Sequence, residues 1–208
     1  MYSKVNFPEI IEFSNQIPVS SKKGYHLQYI CENLKFDGLV LEFGVHKGTS
    51  LRNISEVLPN CIIYGFDSFE GLPEDWYSPH DEVMPKGTFS LDELPEFDND
   101  NIELVKGWFE DTIPKFKDKV KNTPISLLHI DSDLYSSAKT VLYGLNDLIV
   151  KNTIILFDEF CNFKTDINNF RYEENEYKAL KEWVQDCNRE FEIFSRSHDC
   201  QASIIITK

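Results

Sequence analysis

The sequence predicts a doubly wound α/β domain, built on a seven-stranded, mostly parallel sheet that ends in a C-terminal antiparallel hairpin. Three observations lead there. Short apolar runs alternate with helical stretches along the chain, which is the pattern of helices covering both faces of one sheet. Several of those runs are nearly continuous in hydrophobic residues, as strands buried on both faces require. The last two strand-like segments follow one another too closely for a crossover helix, so they must pair antiparallel.

In chain order, "SSKKGYHLQYICENL" (20–34) reads as a helix capped by serine, with Tyr25, Leu27, Ile30 and Leu34 as its apolar positions. The strand candidates are "LVLEFGV" (39–45), "CIIYGFDS" (61–68), "NIELVKG" (101–107), "ISLLHIDS" (125–132) and "TIILFDEF" (153–160). Helices are expected at about 49–58, 110–120, 135–149 and 174–188. "FEIFSRS" and "ASIIITK", joined by the polar "HDCQ", form the terminal hairpin. Residues 71–100 break the rhythm with four prolines, several aromatics and an excess of acids. A long irregular segment inside a compact domain reads as a lid or substrate loop, with a plain surface excursion as the alternative.

The chain has 208 residues, one domain's length, and is read as a single domain over 1–208 with N-terminal helices over 1–37. Its net charge of −14 and lack of a clustered basic patch argue against nucleic acid as a partner. A small neutral substrate or a cation fits better. The five cysteines are dispersed without a CxxC pair, which suits free thiols in a reducing cytosol rather than a disulfide framework or zinc site. The N-terminus lacks the apolar core of a signal peptide, and no segment approaches the length of a membrane helix. A cytoplasmic location is therefore expected, with no membrane partner.

Open parallel sheets bind ligands beyond the C-terminal ends of their strands. The first strand end carries Glu42, Gly44, His46, Gly48 and Ser50. Gly44 permits a tight turn, and Gly48 permits close approach of helix and ligand to the backbone. The dinucleotide fingerprint G-x-G-x-x-G is absent, because His46 stands where the second glycine would admit a pyrophosphate. The turn better suits a nucleoside carrying an amino-acid tail, although a ligand-free turn would use glycines too. Asp67 ends the second strand and can accept both hydroxyls of a ribose, or else cap the next helix. After the third strand, Gly107 permits a turn, and Trp108 or Phe109 can face a flat base or pack in the core.

The densest acids end the fourth and fifth strands: Asp131 and Asp133 in "HIDSDLY", Asp158 and Glu159 in "LFDEF". Converging carboxylates repel unless a proton or cation lies between them. A hard divalent ion resolves this, with magnesium ahead of manganese or calcium. His129 lies within its strand and reads as a packed, hydrogen-bonded core residue. Cys161 has no evident base nearby and reads as inert.

Taken together, "LEFGVHKGTS", "YGFDSFEGLPE", "VKGWFEDTIP", "IDSDLYSS" and "ILFDEF" resemble the class I S-adenosylmethionine-dependent methyltransferases, and most closely the macrocin O-methyltransferase family of sugar-modifying enzymes. The resemblance covers roughly residues 38–160, and "FDSFEGLPE" followed by "IDSDLY" is its specific part. It implies a Rossmann-like sheet with Glu42, Gly44, His46, Gly48 and Ser50 around the methionine end of S-adenosylmethionine. It further implies Asp67 at the ribose, and Gly107, Trp108 and Phe109 beside the adenine. Asp131, Asp158 and Glu159 fall where the family's three magnesium carboxylates lie, with Glu159 replacing the family's usual aspartate. The first motif also resembles catechol O-methyltransferase, but that enzyme's lysine base corresponds to Leu134 here and does not carry over. Catalysis is therefore assigned to metal assistance through Asp131, with His80 as a candidate base and an exposed loop histidine as its alternative reading.

The expected function is methyl transfer from S-adenosylmethionine to a hydroxyl of a small molecule, a sugar or sugar-bearing metabolite. Relatives of this class often pair through peripheral helices, which makes a homo-oligomer an expectation. The alternatives are a metal-independent methyltransferase, a cofactor-binding protein without catalysis, and a nucleotide-dependent oxidoreductase, the last disfavoured by the missing fingerprint.

Overall fold

A computed structural model describes residues 19–20, 23–78, 82–160, 175–197 and 200–208. Its core is the strand series β2 (Leu39–Phe43), β3 (Ile63–Asp67), β6 (Ile102–Lys106), β7 (Ile125–Ile130), β8 (Ile154–Phe157), β9 (Phe191–Ser197) and β10 (Ala202–Ile206). A two-residue strand, β1 (Val19–Ser20), pairs parallel with β9 and adds an eighth member at that edge. The order is β1-β9-β10-β8-β7-β2-β3-β6. Only β10 runs against the rest: it pairs antiparallel with both β8 and β9. The terminal hairpin thus folds back into the slot between β8 and β9.

From β2 the chain winds outward through β3 to β6, then crosses back to lay β7 on the other side of β2. The direction of winding reverses between β2 and β7, so a crevice opens at their C-terminal ends, where ligands of such sheets bind.

Strand periodicity explains the continuous apolar runs. Along β2, Leu41 and Phe43 face the same cluster as Leu128, Ile130, Ile155 and Phe157, while Val40 joins Leu127, Ile154 and Leu156 on the opposite face. Helices α1 (Lys23–Glu32) and α2 (Thr49–Val57) cover the second face with Leu27, Ile30, Leu51 and Ile54. Helices α3 (Phe109–Val120), α4 (Tyr135–Gly144) and α5 (Glu176–Asp186) cover the first with Ile113, Phe116, Val141, Leu180 and Trp183.

Helix α3 carries Glu110 and Asp111 in its first turn and Lys117 and Lys119 in its last, matching the helix dipole at both ends. Helix α4 stops at Gly144, short of the expected 149, because Lys117 Nζ donates to the Gly144 carbonyl at 3.0 Å and caps the end. In α1 the inward face differs from the expected one. Tyr25 points to solvent at 57% exposure, and the neighbouring His26 is fully buried. The helix turns 100° per residue, and the face that buries Leu27 and Ile30 takes in position 26 rather than 25. Of the two serines ahead of the helix, Ser20 ends β1, and Ser21 lies outside the described residues, as does more than half of the 1–37 segment.

Residues 71–100 are more ordered in form than an irregular loop. A two-stranded ribbon of β4 (Trp76–Tyr77) and β5 (Val83–Met84) is followed by turns that dock against the body. Arg52 lies over the Phe97 ring and donates to the Glu96 carbonyl at 2.7 Å, and Leu91 N–H donates to Phe69 O.

Candidate active site

The turn after β2 is built for close approach. Gly44 has φ +94°, and a β-carbon there would sit 1.8 Å from the Asp131 carbonyl oxygen, so no other residue fits. His46 also takes a left-handed conformation, φ 48°, an unusual state for a residue with a side chain. Asp67 holds it: one carboxylate oxygen accepts the N–H groups of Val45 and His46, each at 2.8 Å, and the other accepts Phe69 N–H at 2.7 Å. Gly48, φ +73°, precedes α2, and the Phe97 ring occupies the place its β-carbon would need.

Glu42 and Ser50 stand behind this turn. Ser50 donates to Glu42 at 2.9 Å, and the other Glu42 oxygen meets His129 Nδ1 at 2.8 Å, with Glu42 and His129 both fully or almost fully buried. His129 Nε2 lies 3.6 Å from Asp158, too far for a hydrogen bond but close enough for attraction between charges. Burial opposes a charged ring here. The flanking carboxylates of Asp158 and Glu42 outweigh it and raise the imidazole pKa to about 10. His129 is packed and hydrogen-bonded through Nδ1, while its buried Nε2 has no hydrogen-bond partner and belongs to the same group of atoms as Asp131 and Asp158.

Asp131, Asp158 and Glu159 line the same cavity, but the tight group in the structure takes His129 in place of Glu159. One ligand atom each from His129, Asp131 and Asp158 lies within 4.8 Å of the others. Burial, then the nearby charges of Asp158, Asp133, Glu176 and Asp131, push the Glu159 carboxyl up to about 10. Asp133 sits at φ 63°, a further strained position in the same loop. Glu176, at the start of α5 and fully buried, ties the two acid-bearing loops together. Its two oxygens accept Ser132 N–H and Glu159 N–H, both at 3.1 Å.

These strand ends open into one cavity of about 940 Å³. Gly44, His46, Asp67, Trp108 and Phe109 line it together with Asp131, Asp133, Asp158 and Glu159. Glu42, Gly48, Ser50 and Gly107 are not among its lining residues. The first three shape the turn, and Gly107, φ +139°, aims Trp108. Leu72, Trp76, Met84 and Phe89 supply a third wall from the 71–100 segment. Trp76 is 6% exposed, and its indole N–H reaches Asn175 at 3.4 Å. His80 and Cys161 lie outside the described residues.

The donor set fits a hard divalent cation. Asp131, Asp158 and Glu159 line one cavity, and a buried Glu159 oxygen has no hydrogen-bond partner; a bound cation would favour the ionised form of that carboxyl. Trp76, Glu176, Gln201 and His26 were not found from sequence. No spacing marks them, because each reaches the site from a separate element. Glu176 alone carried a signal, as an acid in the first turn of a helix, and that signal means only helix stabilisation.

Residues 41–160 match a family model described as a methyltransferase domain. The 8-demethyl-8-(2,3-dimethoxy-alpha-L-rhamnosyl)-tetracenomycin-C 4'-O-methyltransferase of Streptomyces olivaceus is 26% identical over 165 residues, which is 69% of this chain and 62% of that protein's length. The chain thus spans a little under two thirds of that relative. Among solved structures, the calicheamicin methyltransferase CalS11 superposes with a TM-score of 0.66 at 21% identity, covering 88% of this chain and 77% of its own. MycE, a methyltransferase from the mycinamycin biosynthetic pathway solved with Mg and SAH, superposes at 0.52 with 14% identity, covering 91% of this chain and 55% of its own. These similarities show a shared fold, and the domain match covers more than half of the 208 residues. The chain belongs to the methyltransferase-domain family.

Proposed function

We propose that this protein transfers a methyl group from S-adenosylmethionine to a hydroxyl of a small molecule, a sugar or sugar-bearing metabolite, with Mg2+ held at the acid cluster. One observation carries the reading: the glycine turn, the aromatic pair and the acid cluster open into the same cavity. A cofactor-sized ligand and a compact acceptor would meet there.

The roles follow from position. The backbone of Gly44–His46, braced by Asp67, would receive the methionine end. Trp108 and Phe109 offer flat apolar faces to the adenine. With three N–H groups already on its carboxylate, Asp67 has limited capacity left for ribose hydroxyls, so its contribution is divided between shaping the turn and binding. Asp131, Asp158 and Glu159 would hold the cation, which when bound supplies positive charge that makes a nearby hydroxyl easier to deprotonate. His80 is proposed as the acceptor of that proton. The wall formed by Trp76, Leu72 and Met84 would exclude water and orient the acceptor, so that catalysis rests chiefly on alignment of donor and acceptor.

The acceptor class rests on the sugar-modifying name of the curated relative together with the family resemblance. The test is calorimetric titration with S-adenosylmethionine and S-adenosylhomocysteine, followed by labelled-methyl transfer to a panel of hydroxylated glycosides with and without Mg2+. Absence of cofactor binding at millimolar concentration would sink the reading.

A further inference from the structure

Asp158 is the most enclosed of the three proposed metal carboxylates, at 2% exposure, and what encloses it comes from the far side of the sheet. Gln201, just ahead of the antiparallel strand β10 and itself 2% exposed, donates its amide N–H to an Asp158 oxygen. A carboxylate only accepts, so the amide nitrogen must face Asp158 and the amide oxygen must face away. That oxygen lies 3.3 Å from His26 Nδ1. The ring nitrogen there must therefore be the N–H donor, and burial keeps the ring neutral by lowering its pKa to about 4. In the neutral ring Nε2 is then an acceptor, and it lies 2.8 Å from the Ser195 hydroxyl, which donates to it. Ser195 Oγ is in turn 2.7 Å from Ser203 Oγ, which is left as the donor.

The chain Ser203–Ser195–His26–Gln201–Asp158 has one consistent direction of donation from end to end. All five side chains are at most 2% exposed. Helix α1, strands β9 and β10 and the β8 end each contribute a member. A buried network of this kind is costly unless every member is satisfied, and here donors and acceptors match in sequence. Its terminus is a proposed metal ligand rather than a packing contact.

We infer that Gln201 is a positioning residue for Asp158, held in its working orientation by His26, and that this pair sets how tightly the acid cluster takes a divalent cation. The inference rests on the metal reading above. Outer hydrogen-bond partners of metal carboxylates fix their orientation, and their removal typically weakens metal binding by about 10- to 100-fold. Truncating Gln201 would free Asp158 to turn toward His129, whose Nε2 lies 3.6 Å away.

The experiment titrates Mn2+ into the full chain saturated with S-adenosylhomocysteine, reading free Mn2+ by electron paramagnetic resonance. S-adenosylhomocysteine affinity is measured separately for each variant. Gln201→Leu is expected to weaken Mn2+ about tenfold or more with S-adenosylhomocysteine affinity unchanged. Gln201→Asn keeps a buried amide one methylene short and should weaken it severalfold; it serves if the leucine variant does not fold. His26→Leu should reproduce part of the loss, and His26→Asn, whose amide can still donate to Gln201, should restore most of it. Asp158→Asn controls for the metal reading itself. Mn2+ binding that is lost in Asp158→Asn but retained within twofold in both Gln201 variants would overturn the positioning role while sparing the metal site. Equal losses of Mn2+ and S-adenosylhomocysteine affinity would also overturn it, by making Gln201 general support for the fold. A wild-type chain that takes up no Mn2+ would remove the metal reading and this inference together.

Discussion

Gly44 and Asp131 meet across the crevice where the sheet's winding reverses: the Asp131 carbonyl oxygen occupies the space a β-carbon on Gly44 would need, 1.8 Å away. The proposed cofactor turn and the proposed metal loop are therefore in contact, and a change in one must displace the other. Gly44→Ala combines that clash with a left-handed backbone, a strain of about 1–3 kcal/mol before the clash is counted. The expected outcome is a folded protein of lower Tm whose S-adenosylhomocysteine affinity falls by about tenfold or more, each tenfold corresponding to about 1.4 kcal/mol. Thermal unfolding and calorimetry on the same sample check it.

Asp67→Asn keeps the shape of the side chain but replaces one acceptor oxygen with a donor that faces backbone N–H groups. At least one of the three amides it now serves loses its partner, at about 1–3 kcal/mol. Cofactor affinity and Tm should fall together, because the same carboxylate shapes the turn that would receive the ligand. Unchanged Tm with weakened binding would show that Asp67 acts on the ligand alone.

Asp131→Asn and Asp158→Asn should abolish Mg2+-dependent methyl transfer while leaving S-adenosylhomocysteine binding within about threefold, since each keeps the side chain's shape and leaves the Asp131 carbonyl against Gly44 in place. Transfer that survives both substitutions and EDTA would leave these acids with a structural role only.

Glu176→Gln is expected to act on both acid loops at once. Its two oxygens accept Ser132 N–H and Glu159 N–H, and the amide can serve only one of them. The buried N–H left facing an amide donor costs about 1–3 kcal/mol. Mn2+ affinity should drop alongside stability, and hydrogen exchange should quicken at Ser132 and Glu159 ahead of the β7 and β8 amides.

The pH dependence of stability carries a signature of His26. Burial lowers its pKa from 6.5 in the unfolded chain to about 4 in the folded one. Between those values the unfolded state binds more protons, so stability falls as pH drops through that window and the loss is complete below it. The difference corresponds to about 3 kcal/mol. The raised carboxyl of Glu159 contributes with the opposite sign over the same range, so the signature is a difference: between pH 7.5 and 4.5, in metal-free buffer, the calorimetric Tm of His26→Asn should fall less, or rise more, than that of the wild type. An identical slope in the variant would show that other groups dominate.

Much of the architecture was legible because it depends on short-range periodicity. The β7 run "ISLLHI" is apolar throughout because both of its faces are covered, and the six residues are all buried. The acid cluster was legible for a related reason. Once "HIDSD" and "LFDE" are placed on neighbouring parallel strands, their ends lie side by side, and β7 and β8 do pair in parallel. The inward face of α1 was less legible, since its ten residues carry little hydrophobic contrast and position 25 looks as apolar as position 27.

The succession of strands and helices along the chain, the glycine turn and the places where acids end strands are all local consequences of residue type and spacing. Which of those residues face the cavity and which stand behind it depends on long-range packing. Glu42 and Ser50 proved to be braces, and Asp67 to be occupied by three backbone amides. His26, Glu176 and Gln201, distant in the chain, converged on the acids. Hydrogen bonds between groups 17 to 175 residues apart leave no periodic trace, so their partners exist only once the sheet has closed.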